Sequence, residues 1–110
     1  MNLTGLFKKH GRPAVLCSSN GETVSSTYAF ISPLRYKNKM YLYGVNTEIG
    51  YNSQGHYLYI GPPLPDLTDI NDGDYITAGE TKYRIDRAEK VYAGQRVLYI
   101  WAVIRTIVEN

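Results

Sequence analysis

A chain of 110 residues with net charge +2, 44% hydrophobic and 20% charged, has the composition of one globular domain with a single modest core. So small a charge does not announce nucleic acid or an anionic membrane as a partner, and no run approaches the ~18 apolar residues of a membrane span. Cys17 is the only cysteine, so no internal disulfide can form, and a secreted, disulfide-stapled fold is excluded.

At the N-terminus Leu3, Leu6 and Phe7 fall at i, i+3, i+4, with Lys8 and Lys9 on the other side and Gly11-Arg12-Pro13 behind them. The pattern predicts one or two turns of amphipathic helix within residues 1–12, too short to stand without docking its apolar stripe. The charges follow the apolar residues, the reverse of a secretory signal, which implies a cytoplasm-like compartment.

From residue 13 onward the pattern is β. Residues 14–18 read as a short strand, with Cys17 as a small buried apolar residue, and Ser18-Ser19-Asn20-Gly21 as a turn. Residues 23–31 are rich in β-branched and aromatic side chains and end near Pro33. Residues 39–45 read as the next strand, and 44–55, glycine- and asparagine-rich without a clear period, as a long loop. Residues 56–60 resume as a strand that ends at Gly61-Pro62-Pro63, and 64–74, with four aspartates, read as a structured connection.

A meander closes the chain. Residues 75–78 turn at Gly79-Glu80 into 81–91, which turn at Ala93-Gly94 into 95–108. Lys82-Tyr83-Arg84-Ile85-Asp86 alternates between a wet and a dry face. The last strand is apolar on both faces, Val97, Tyr99, Trp101 and Val103 on one, Leu98, Ile100, Ala102 and Ile104 on the other. We expect the Val97/Tyr99/Trp101/Val103 face to fill the interior and the other to be covered by the N-terminal helix or a neighbouring subunit. A helix over 97–108 is the rival reading, disfavoured by β-branched and aromatic density. The expected fold is a mainly β single domain, a small barrel or sandwich of about six to seven antiparallel strands over 13–110.

Catalytic chemistry has little to stand on. Setting Gly73 at the sixth position of a calcium loop puts Ile70 third and Gly79 twelfth, where ligand oxygens are required, so the acidic run reads as a solvated turn. His10 and His56 lack partners at zinc-ligand spacing. No nucleophile elbow, phosphate loop or dinucleotide fingerprint occurs, and Cys17 has no orienting pair for nucleophilic work. We expect no enzyme, no cofactor and no metal. Eleven tyrosines against two phenylalanines and one tryptophan favour instead strands that lend part of their surface to other chains. The pairs Tyr41/Tyr43 and Tyr57/Tyr59 could stack bases, but Tyr57-Leu58-Tyr59-Ile60 has no basic neighbour, so core or subunit contact ranks above single-strand binding. The basic clusters Lys8, Lys9, His10, Arg12 and Arg35, Lys37, Lys39 read as solvated ends, or as surfaces that meet a polyanion when many copies ring a channel.

The chain runs from Leu6-Phe7-Lys8-Lys9-His10-Gly11 through Tyr57-Leu58-Tyr59-Ile60-Gly61-Pro62-Pro63 to Leu98-Tyr99-Ile100-Trp101-Ala102-Val103-Ile104-Arg105. In this profile it resembles the small head-tail connector proteins of tailed bacteriophages and prophages, in particular the head-closure (stopper) group. The resemblance spans nearly the whole chain and rests on apolar patterns. It implies a small β-barrel that assembles with copies of itself into a ring between the portal/adaptor complex and the tail-completion protein. The implied place is the virion neck, reached from the host bacterial cytoplasm, with possible non-specific contact to packaged DNA and no membrane. A tail-terminator or tail-junction role is the near alternative. The group carries a long loop into the assembly, which here corresponds to 44–55, with Asn46, Glu48, Tyr51 and Asn52 as loop candidates. Leu3, Leu6 and Phe7 are the candidates on the helix.

Overall fold

A computed structural model describes residues 3–34 and 55–107. The expected strand at 39–45 and the loop candidates Asn46, Glu48, Tyr51 and Asn52 lie outside the described residues. Helix α1 (Thr4–His10) is followed by β1 (Arg12–Cys17), β2 (Thr23–Pro33), β3 (His56–Gly61), β4 (Tyr75–Ala78), β5 (Thr81–Ala93) and β6 (Arg96–Thr106). The six strands close into a barrel in the order β1-β2-β3-β6-β5-β4, every pairing antiparallel, with β4 returning to β1 through Val15↔Thr77, Leu16↔Ile76 and Cys17↔Tyr75. The expected β-barrel with one short N-terminal helix is the observed architecture, and residues 97–106 are strand, not helix. The two tight hairpins turn where the left-handed backbone of Gly79 (φ 63°) and Gly94 (φ 64°) permits it.

The helix is anchored at one point. Phe7 is buried and its ring lies 5.4 Å from that of Phe30 on β2. Leu3 is half-buried and Leu6 stays exposed, so the three-residue stripe docks mainly through Phe7. Seven residues without a side-chain N-cap hold their helix through this packing.

The interior pairs large side chains with small ones. Tyr59, fully buried, lies opposite Ala102, and Gly61 lies opposite Ile100. Ala14, Ala29 and Ala78 complete the space around Tyr59, Leu67, Ile76, Tyr83, Ile100 and Ile104. This interior overturns one expectation. The inward face of β6 carries Ile100, Ala102 and Ile104, while Val97, Tyr99, Trp101 and Val103 point outward and are half-buried. A six-strand barrel already filled by the Tyr59 and Tyr83 rings has no volume for Tyr99 and Trp101, and Ala102 is what leaves room for Tyr59. Cys17 is buried, as its apolar surroundings in the sequence led us to expect.

Residues 62–74 close one end of the barrel. Leu67 (2% exposed) is driven into the core beside buried Pro65. The turn is held by Asp66, whose carboxylate accepts the Thr68 backbone N–H at 2.9 Å and the Thr68 hydroxyl, and which pairs with Lys90 at 3.2 Å. Partial burial pushes the Asp66 carboxyl up, but the two Thr68 hydrogen bonds and the Lys90 ammonium outweigh it and hold the group below the ordinary aspartate value. A depressed folded-state value contributes stability above the unfolded value, about pH 4, that is lost as pH falls through the folded one. The stability difference between wild type and Asp66→Asn, read by urea unfolding, is therefore expected at neutral pH and should shrink as pH falls below about 4. A difference that stays constant with pH would contradict the assignment.

Candidate interaction surface

The side chains that the interior cannot accept gather on the outer wall. On β3, inward Tyr57 and Tyr59 leave Leu58 and Ile60 facing out, and on β6 the outward residues are Tyr99, Trp101 and Val103. Pairing brings Leu58 beside Val103 and Ile60 beside Trp101, and Leu34, just after β2, joins them. Together with His56, Asp86 and Arg87 these residues line a groove of about 700 Å³. The second apolar face of β6 was expected to be covered by the N-terminal helix or a neighbouring subunit; helix α1 packs on β2, at Phe30, and not over β6, which corrects the first of these alternatives. Among the described residues no element lies across this groove.

A bulge shapes its polar edge. Ile85 pairs with Ile104 and Arg87 with Val103, which leaves Asp86 as the extra residue of β5. The bulge sets Asp86 and Arg87 side by side at the groove, ending the clean alternation of 82–86. Asp86 draws in Arg105 (3.3 Å), Arg84 (3.7 Å) and His56 (3.8 Å). Arg87 places its guanidinium 5.4 Å from the centre of the Trp101 ring and donates through Nε to Glu89 at 3.0 Å. The groove is thus apolar along its floor, with His56, Asp86 and Arg87 at its polar edge.

Beyond the barrel rim the β5–β6 hairpin continues alone. Strand β3 reaches β6 only as far as Gly61↔Ile100, and β4 reaches β5 only as far as Tyr75↔Arg84. The remaining pairs, down to Ala93↔Arg96, form an arm with exposed Tyr92 near its tip.

Of the candidates named from the sequence, Phe7 belongs to the packing of the helix, Leu3 lies half-buried at its start and Leu6 is on its open side. None of the three lines the groove. Tyr57 and Tyr59 belong to the core: Tyr59 is buried, and Tyr57 packs edge-on against Tyr83 at 5.2 Å. Sequence reasoning missed Leu34, Leu58, Ile60, Asp86 and Arg87 as groove residues. Parity would have found two of them, because assigning Tyr57 and Tyr59 inward sends Leu58 and Ile60 outward. The adjacent charges Asp86-Arg87 are the signal for the bulge. The chain matches no family model, no curated protein and no solved structure.

Proposed function

We propose that this chain is a structural subunit of the head-tail connector of a tailed bacteriophage or prophage. Its role is of the head-closure type, joining the portal/adaptor complex to the tail by assembling with its own copies into a ring. The observation that supports this most is the outer apolar wall: Leu58, Ile60, Tyr99, Trp101 and Val103 lie together on rigid strands, with no described element across them. An apolar surface that includes Tyr99 and Trp101, with Arg87 beside it, has the composition of a protein–protein contact. The sequence resemblance to head-closure proteins supplies the kind of assembly.

The work of such a subunit is mechanical. The closed barrel, its end sealed by Leu67, is a stiff body that holds its wall and its hairpin arm in fixed relation. Addition to the portal in order requires that the free subunit not close a ring early. The purified protein is therefore expected to be a monomer or a weak oligomer in dilute solution, and a stable closed ring in light scattering would contradict this. Removing the coding sequence from a phage-producing host should leave DNA-filled heads without tails. Normal tailed particles from such a host would overturn the proposal.

A further inference from the structure

No further inference is drawn: the strongest candidate, the apolar groove on the outer wall of β3 and β6 lined by Leu58, Ile60, Trp101 and Val103, belongs to the surface already described, and nothing in the structure shows what covers it.

Discussion

Replacing Ile100 by alanine should lower stability by about 2–5 kcal/mol, while Trp101→Ala, one residue along, should cost only about 1–2 kcal/mol. Ile100 is fully buried, opposite Gly61 on β3 and Lys90 on β5, and its removal leaves a cavity that a closed barrel cannot collapse. Trp101 faces the groove, half-buried under Arg87, and its loss removes contacts from one side only. Urea unfolding measures both, as a shift of the midpoint at unchanged slope. The reverse order of effects would mean that the large face of β6 fills the interior after all.

Gly61→Ala should also be costly, by about 1–3 kcal/mol, although alanine is an ordinary strand residue. A Cβ at position 61 would stand 2.5 Å from the Tyr59 hydroxyl oxygen, 2.7 Å from Cζ and 2.9 Å from Cε1. The ring cannot swing aside, because Tyr59 is only 1% exposed and packed on all sides. Its hydroxyl has no hydrogen-bond partner among the described residues, and burial pushes its pKa up, so it remains a neutral, unsatisfied group. Tyr59→Phe alone should therefore leave stability unchanged or raise it by about 1 kcal/mol. In the Gly61→Ala background the same change should recover part of the loss, since the nearest contact goes and the ring carbons stay. A double-mutant cycle reads the coupling, and strict additivity would show that the two positions do not meet.

The strand pattern was legible because local chemistry decided it. The β-branched run of β2, the glycines at 79 and 94, and the Gly61-Pro62-Pro63 stop all sit where the barrel uses them. The direction of β6 was not legible by the same means. Both of its faces are apolar, so hydrophobicity cannot choose between them, and the choice falls to volume: Ala102 is the residue that Tyr59 needs, and it lies on the face with Ile100 and Ile104. Volume matching depends on a strand that is distant in sequence, which periodicity does not register. The groove was hidden for the same reason, because it is made of what the interior rejects. Its polar edge depends on the β5 bulge, which appears in the sequence only as the doublet Asp86-Arg87. The reading of Leu3, Leu6 and Phe7 as a docking stripe held for Phe7, whose partner Phe30 is the only other phenylalanine.

The outer wall of β3 and β6 is where the functional account meets the fold, and cryo-microscopy of tailed particles carrying this chain tests it most directly. The account predicts a ring of barrels at the neck, between portal and tail, with Leu58, Ile60 and Trp101 of each copy covered by its neighbour. A neck without this chain, or a ring in which that wall faces open solvent, would contradict it.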